Sequence, residues 1–186
     1  MDHYLDINLK PDPEFPSHQL MDALFAKLHR VLAEMQVNDI GLSFPLAGSI
    51  REGLGARMRL HGTDARLREV ADRSWWTGMD DFLSLQPVSP VPIGAKPLAV
   101  RRVQAKSNPE RLRRRQMKRK GWTVEQARAA IPDSAGESLA LPFLTVRSAS
   151  SKQRFRLFIS QTAATSLGPG TFNAYGLSTT ATLPTF

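Results

Sequence analysis

A stripe of apolar side chains between residues 17 and 35 sets the first requirement on the fold. Its members recur at intervals of three and four residues: Leu20, Leu24, Leu28, Val31, Leu32 and Met35. This spacing places them on one face of an amphipathic α-helix. The chain must therefore supply a second apolar layer that covers this face.

Short strand-like segments supply that layer. The sequences YLDINL at 4–9, IGLSF at 40–44 and ARMRLH at 56–61 have the patterns of strands. Thr63 is placed to cap a second helix from Asp64 to about Arg73, and a further short strand is predicted near 82–85. The order β-α-β-β-α-β is that of a ferredoxin-like unit, with two helices on one face of an antiparallel sheet. The predicted fold class is α+β.

A proline-rich segment, PVSPVPIGAKP at 87–97, predicts the boundary between two domains, since it suits neither a helix nor a central strand. We expect residues 1–94 to form the ferredoxin-like domain and residues 95–186 a smaller α+β domain. The second domain is predicted to hold a strand at 98–105, a basic helix at 108–120 and a helix at 122–131 with a Thr123 to Gln126 capping box. Strands are predicted at 142–147, at 153–159 and near 173–178.

The net charge of +8 is concentrated in one segment. Residues 101–120 hold ten Lys or Arg against the single acid Glu110, and the remaining residues hold 15 basic and 16 acidic side chains. Start and stop signals enclose the basic helix, with Ser107 and Glu110 at capping-box spacing and Gly121 after its end. Arg111, Arg114, Arg115 and Lys118 share one face of this helix, which has almost no apolar seam.

Three interpretations of this charged face remain open. A solvated helix usually mixes charge signs, whereas this one is rich in arginine, whose planar group suits phosphate and guanine edges. An anionic membrane surface would favour large apolar residues opposite the charges, and the helix lacks them. The pattern therefore favours nucleic-acid binding, and Arg102 and Gln104 on the preceding strand add two side chains able to bond base edges.

The chain has few residues suited to catalysis. It has no cysteine, hence no disulfide or thiolate metal site, and its four histidines lie outside any metal-binding motif. His29 on the first helix is at the edge of the apolar stripe, where a packing role competes with a catalytic one, and Ser148 and Ser150 fit an ordinary hairpin turn. One chemistry suits this set. RNA brings its own nucleophile, the 2′-hydroxyl, so a histidine as proton acceptor and a serine that holds the oxygen suffice, without metal or cofactor.

Several segments together resemble a known family, and they span nearly the whole chain: HYLDI at 3–7, FAKLH at 25–29, IGLSFP at 40–45, RVQAKSNPERLRRR at 102–115, LPFLTVRSAS at 141–150, FRLFI at 155–159 and YGLS at 175–178. Taken in this order, they are similar to the CRISPR repeat-processing endoribonucleases of type I-F systems. The resemblance implies an enzyme that cuts repeat RNA without metal at the 3′ base of its hairpin and leaves a 2′,3′-cyclic phosphate.

The resemblance also implies roles for individual residues. His29 would be the general base, Ser148 would hold the reacting ribose, and Ser150 and Tyr175 would support the geometry of the site. Phe155 would stack on the terminal base pair of the RNA stem. The RNA-binding residues would be Arg102, Gln104, Lys106, Arg111, Arg114, Arg115, Lys118, Arg119 and Lys120. Positions 118 and 120 are lysine where the family carries arginine and histidine, so phosphate contact is expected there and base reading stays open.

The same resemblance implies the partners. The enzyme would keep the mature CRISPR RNA and act as a monomeric subunit of the type I-F surveillance complex, beside its backbone, large and small subunits, and through that complex it would meet target DNA. A subunit that only caps the guide RNA, and a general RNA-binding protein, remain as alternatives. No apolar run approaches the roughly 18 residues of a membrane helix and no signal peptide is recognised, so we expect no membrane partner and a cytoplasmic location.

Overall fold

The computed structural model describes residues 1–48, 53–104, 109–133, 139–148 and 153–186. Within these residues, nine strands in two antiparallel sheets and four α-helices form. In chain order they are β1 His3–Leu9, α1 Ser17–Met35, β2 Gly41–Ser43, β3 Arg57–Gly62, α2 Asp64–Asp72, β4 Leu83–Leu85, β5 Ser89–Pro90, β6 Lys96–Val103, α3 Pro109–Lys120, α4 Val124–Ala130, β7 Phe143–Arg147, β8 Arg154–Ala163 and β9 Leu183–Thr185. The predicted mixture of helices and antiparallel strands is confirmed.

The first sheet has the strand order β2-β3-β1-β4, and β5 pairs with the start of β1. Alternate residues of β1, namely Leu5, Ile7 and Leu9, are buried in the hydrophobic core. The same core holds the apolar stripe of α1 and Leu67 and Val70 of α2, as the sequence pattern predicts. The two helices thus cover one face of the sheet.

The other face of this sheet carries polar side chains that are also buried. Arg59 of β3 donates to both carboxylate oxygens of Asp6 on β1, at 2.6 and 2.8 Å. The guanidinium group also lies 3.9 Å from the ring centre of Phe186 and 4.6 Å from that of Tyr4. A buried charge is costly unless it is paired and hydrogen-bonded, and this arrangement satisfies both conditions.

The second sheet has the order β7-β8-β6-β9. Helix α1 packs against β7 as well as against the first sheet, so it joins the two sheets.

The prediction of a strand near 173–178 is wrong. Residues 173–177 form a turn because Gly176 has a φ of +69° and Asn173 bonds the following backbone, and the strand that completes the sheet is β9.

Helices α3 and α4 follow β6. Gly121, with a φ of +66°, comes directly after α3, where the sequence predicts a glycine stop. The capping box of α4 is present, since Thr123 accepts from Gln126 N–H and the Gln126 side chain bonds Thr123 N–H. Ser107, the predicted cap of α3, lies outside the described residues.

The backbone contacts divide the chain into two compact units, Met1–Val103 with Leu141–Phe186, and Gln104–Ala140. The first unit holds both sheets with α1 and α2, and the second holds α3 and α4. The boundary predicted after residue 94 differs from this division and stays a prediction. In the part of the chain that the structure describes, no helix has the length and apolar character needed to cross a membrane.

Candidate active site and nucleic-acid interface

An open cleft of about 940 Å³ lies in the first unit. Helix α1 forms one side, and β7, β8 and the turn near residue 175 supply the rest. The lining residues are Ala26, His29, Arg30, Ala33, Glu34, Val146, Arg147, Ser148, Phe155 and Tyr175. Four predicted site residues, His29, Ser148, Phe155 and Tyr175, thus meet in one cleft although up to 146 positions separate them in the sequence.

The imidazole of His29 is fixed by a main-chain acceptor. Its Nδ1 atom lies 2.8 Å from the carbonyl oxygen of Ala174. A carbonyl oxygen can only accept, so Nδ1 carries the proton and, in the neutral ring, Nε2 has a free lone pair. His29 is half-buried and lines the cleft, which gives the site a proton acceptor in a defined tautomer.

Aromatic stacking fixes the plane of the same ring. The Tyr175 ring lies 4.1 Å from the His29 ring, centre to centre, with the two planes 18° apart. Phe25, one helical turn before His29, is nearly parallel to Tyr175 at 6.1 Å. Tyr175 therefore connects the histidine to the buried core, and its supporting role in the site stays a prediction.

A short turn holds both partners of His29. Asn173 Oδ1 accepts from the backbone N–H groups of Tyr175 at 2.9 Å and Leu177 at 3.3 Å. Gly176 completes the turn with a positive φ, and its carbonyl accepts from Leu42 N–H of β2 at 2.9 Å. A Cβ atom at position 176 would meet Leu42 Cβ at 2.7 Å, so only glycine fits without displacement.

Ser148 comes directly after β7, at the point where this strand pairs with β8. Its backbone N–H donates to the carbonyl of Gln153 at 2.9 Å, which continues the pairing beyond the strand. Its side chain is half-buried and lines the cleft with His29. Ser150, the other predicted serine, lies within 149–152 and outside the described residues.

Arg102 and Phe155 lie together on the second sheet. The Arg102 guanidinium is 5.6 Å from the centre of the Phe155 ring, within the range of a cation–π contact. Arg102 is exposed near the end of β6, and Gln104 follows the strand and is exposed too. Lys106, predicted to bind RNA, lies outside the described residues.

Helix α3 presents the predicted basic surface. It has no buried residue, and six of its cations are exposed: Arg111, Arg114, Arg115, Lys118, Arg119 and Lys120. Arg114 lies 3.5 Å from Glu110, an exposed pair of little energetic weight, and the Lys120 ammonium lies 4.6 Å from the centre of the Trp122 ring. The structure thus places these side chains where a large anion can reach them.

Arg113 differs from its neighbours on α3. Its Nε donates to the carbonyl of Ile131 at 2.8 Å, and its guanidinium pairs with Asp133 at 2.7 Å. Only 14% of its side chain is exposed. Arg113 therefore ties α3 to the end of α4, and charge counting alone could not separate it from the exposed arginines.

Sequence reasoning missed several parts of the cleft. Arg30, Glu34 and Arg147 line it, and adjacency to His29 or Ser148 was a signal for the two arginines. The sequence gives no sign of the Ala174 acceptor, because every residue has a main-chain carbonyl group.

A second histidine, His61, lies in the interior and not in the cleft. It is fully buried, and its Nε2 lies 2.8 Å from the Ser43 hydroxyl. Burial, with the positive charge of Arg59, lowers its pKa to about 3. Across the described ranges, no three His, Cys, Asp or Glu side chains lie close enough together to hold a metal ion.

Comparison with known proteins identifies the class to which this fold and cleft belong. A family model described as CRISPR-associated protein (Cas_Csy4) matches residues 4–186. The chain belongs to this Csy4 family of CRISPR-associated proteins.

Two relatives match over the whole length. The CRISPR-associated endonuclease Cas6/Csy4 of Pseudomonas aeruginosa (strain UCBPP-PA14) is 47% identical over 187 residues, with 100% of each chain covered. The protein of the same name from Escherichia coli (strain UTI89 / UPEC) is 48% identical over 188 residues, again with 100% of each covered. The predicted family, and with it the class of CRISPR-associated endonucleases, is confirmed.

Proposed function

We propose that this chain is the endoribonuclease that cuts CRISPR repeat RNA at the 3′ base of its hairpin and leaves a 2′,3′-cyclic phosphate. The relatives are named as CRISPR-associated endonucleases, which supports the class of reaction. The proposal adds the RNA substrate, the absence of a metal requirement and the internal attack. It is carried by one observation, the tautomer of His29 in a cleft that Ser148 also lines.

The geometry suits proton abstraction. With Nδ1–H bonded to Ala174, the Nε2 lone pair of His29 is the group available to a ribose bound in the cleft. Histidine is the side chain that most often serves as a general base in enzymes. The Ser148 hydroxyl can donate a hydrogen bond to the 2′-oxygen or accept one from it, and so hold that oxygen in line with the phosphorus.

The reaction balances without any further reagent. The 2′-hydroxyl gives its proton to Nε2 of His29, and its oxygen forms a bond to the adjacent phosphorus. The bond from phosphorus to the 5′-oxygen of the next nucleotide breaks, and that oxygen takes up a proton. The products are a 2′,3′-cyclic phosphate and a 5′-hydroxyl, and His29 returns to its neutral form once it loses the proton it gained.

The RNA would be held by two sets of residues. Phe155 offers an aromatic face for a base, with Arg102 beside it, and stacking of a base on such a ring contributes roughly 1–3 kcal/mol. The exposed cations of α3 offer contacts to phosphates, since their side chains lie at the surface. Lys118 and Lys120 would contact phosphate as point charges.

We extend the proposal to the domains and partners. The observed order β-α-β-β-α-β and the strand order β2-β3-β1-β4 support a ferredoxin-like domain over residues 1–94. After cutting, the protein would keep the 3′ hairpin of the guide RNA and join the other subunits of a type I-F surveillance complex.

The decisive test replaces the attacking group. A repeat RNA with a single 2′-deoxy nucleotide directly upstream of the scissile phosphate should bind with unchanged affinity and resist cleavage in a single-turnover assay. The matched control carries the deoxy nucleotide one position further upstream and should be cut at the normal rate. All reactions contain excess EDTA. Cutting of the first RNA, or loss of wild-type cleavage in EDTA, would contradict the proposal.

A further inference from the structure

Asp22 connects the two elements that carry the catalytic cleft. It lies on α1, seven residues before His29, and its Oδ1 accepts a hydrogen bond from the backbone N–H of Thr145 on β7 at 2.8 Å. Thr145 precedes Ser148 by three residues. The bond spans 123 positions of sequence, and both residues are half-buried.

The position of β7 in its sheet explains why Thr145 needs this partner. β7 lies at one end of the strand order and pairs with β8 alone. Ser148 N–H points towards β8, where it bonds Gln153, so residues an odd number of positions away direct their N–H groups outward. Thr145 is one of these, and the Asp22 carboxylate satisfies its N–H in a half-buried place.

The distances along the two elements match. Seven residues of α-helix from Asp22 to His29 rise about 10.5 Å at 1.5 Å per residue. Three residues from Thr145 to Ser148 advance about 10 Å at 3.3 Å per residue. His29 and Ser148 both line the cleft, so both elements run towards it from the bond. Asp22 and His29 also share nearly the same face of α1, since seven residues are close to two full turns.

We propose that Asp22 is a positioning residue that sets the register of α1 against β7 and so brings His29 opposite Ser148. This inference rests on the proposed function, because the register matters only if the two side chains act on one ribose. Burial raises the pKa of Asp22, and hydrogen bonding by Thr145 is the largest influence that opposes this rise. The bond to Thr145 is thus the main interaction that holds the carboxylate form at this place.

The test compares two substitutions that keep the branching of the side chain at Cγ. Asp22→Leu removes the acceptor and adds some volume, whereas Asp22→Asn keeps an acceptor oxygen and the volume and removes the charge. Single-turnover cleavage of the repeat RNA is measured with the protein in excess, and RNA affinity is measured separately on the 2′-deoxy RNA. Thr63→Ala, which removes the N-cap of α2 away from the cleft, controls for a general loss of stability.

The expected result is a split between rate and affinity. Asp22→Leu should cut about 10- to 100-fold more slowly, because a displacement near 1 Å between reacting groups has an effect of this size. Its RNA affinity should stay within about threefold of wild type, and its Thr145 amide should exchange faster with solvent. Asp22→Asn should retain most of the rate and the amide protection, and Thr63→Ala should cut normally.

Each other outcome contradicts the inference. Wild-type cleavage by a folded Asp22→Leu protein would show that the register does not depend on this bond. If Asp22→Leu fails to fold, the result with Asp22→Asn decides. A slower cleavage rate in Asp22→Asn, with the Thr145 amide still protected from exchange, would show that the charge of Asp22 and not its hydrogen bond controls the rate. A wild-type protein that binds the RNA without cutting it would instead overturn the proposed function, and this inference with it.

Discussion

The cleft beside α1 and the surface of α3 use their side chains in opposite ways. In the cleft, His29 is fixed by the Ala174 carbonyl and by the Tyr175 ring, and Asp22 ties its helix to β7. On α3, six of the seven cations are exposed, and the seventh, Arg113, is half-buried. The cleft is therefore built for geometry and the helix for charge.

This contrast suits the two tasks that we propose, proton transfer in the cleft and attraction of a polyanion to α3. Proton transfer depends on distances of tenths of an ångström and on one tautomer, so its groups need supporting contacts. Attraction to a polyanion depends on charge number, acts over a Debye length and tolerates mobile side chains. Substitutions in the two regions should consequently alter different measured quantities.

The largest effect is expected in the cleft. His29→Ala removes the proton acceptor that we propose, so single-turnover cleavage should fall by about 10³-fold, within the range typical of general base catalysis. RNA affinity should change little. His18→Ala, an exposed histidine on the same helix, is the matched control and should cut normally.

Either of two results would contradict this role for His29. Full cleavage by His29→Ala would remove the residue from the mechanism. A large loss of affinity in that variant would place His29 among the binding groups instead.

The second effect is expected on α3. Arg115→Gln with Arg119→Gln should weaken binding and lower the slope of log affinity against log salt by about one for each lost phosphate contact. Cleavage at saturating protein should stay within about threefold of wild type. Arg73→Gln with Arg128→Gln removes the same charge from two exposed positions, one directly after α2 and one on α4, and serves as the control. An equal loss of affinity in the control would show that only net charge matters.

The smallest effect concerns the loss of stability at acid pH. The contribution of His61 to this loss should affect the unit that contains it and not the α3–α4 unit. His61 is kept neutral in the folded protein because burial lowers its pKa to about 3, whereas an unfolded histidine titrates near ~6.5. Protons therefore bind the unfolded chain preferentially as the pH falls below ~6.5. The free energy of unfolding should drop by about 1.4 kcal/mol between pH 7.5 and pH 5.5 from this residue alone.

Urea unfolding measures the free energy of unfolding of wild type and of His61→Phe at both pH values. The change between the two pH values in wild type, minus the same change in His61→Phe, is the contribution of His61. Residues 104–140 contain no histidine, so the α3–α4 unit should not share the effect. A variant with the same pH response as wild type would rule out His61 as its source.

Local patterns predicted the secondary structure well. The apolar stripe gave α1 its observed bounds, Ser17–Met35, and Thr63 caps α2 as expected. These features depend on neighbours three or four residues apart, which a sequence displays directly. The strand expected near 173–178 failed because a side-chain-to-backbone turn at Asn173 competes with strand formation.

The cleft itself could be predicted only by resemblance. Spacing alone left His29 between a packing and a catalytic role, because its partners Ala174 and Tyr175 are about 145 residues away. The link from Asp22 to Thr145 was equally hidden, since a backbone N–H has no residue type. Likewise, Arg113 looked like any other cation of α3 until Ile131 and Asp133 were placed beside it.

The Ala174 carbonyl bears on how this enzyme tolerates mutation. An acceptor that belongs to the main chain is present whatever side chain occupies position 174, so drift at that codon leaves the tautomer of His29 intact as long as the turn survives. Selection then acts on the neighbours that shape the turn, above all Gly176, where an added Cβ would strike Leu42. Among diverged relatives, a variable position 174 beside a fixed glycine would be the trace of this arrangement.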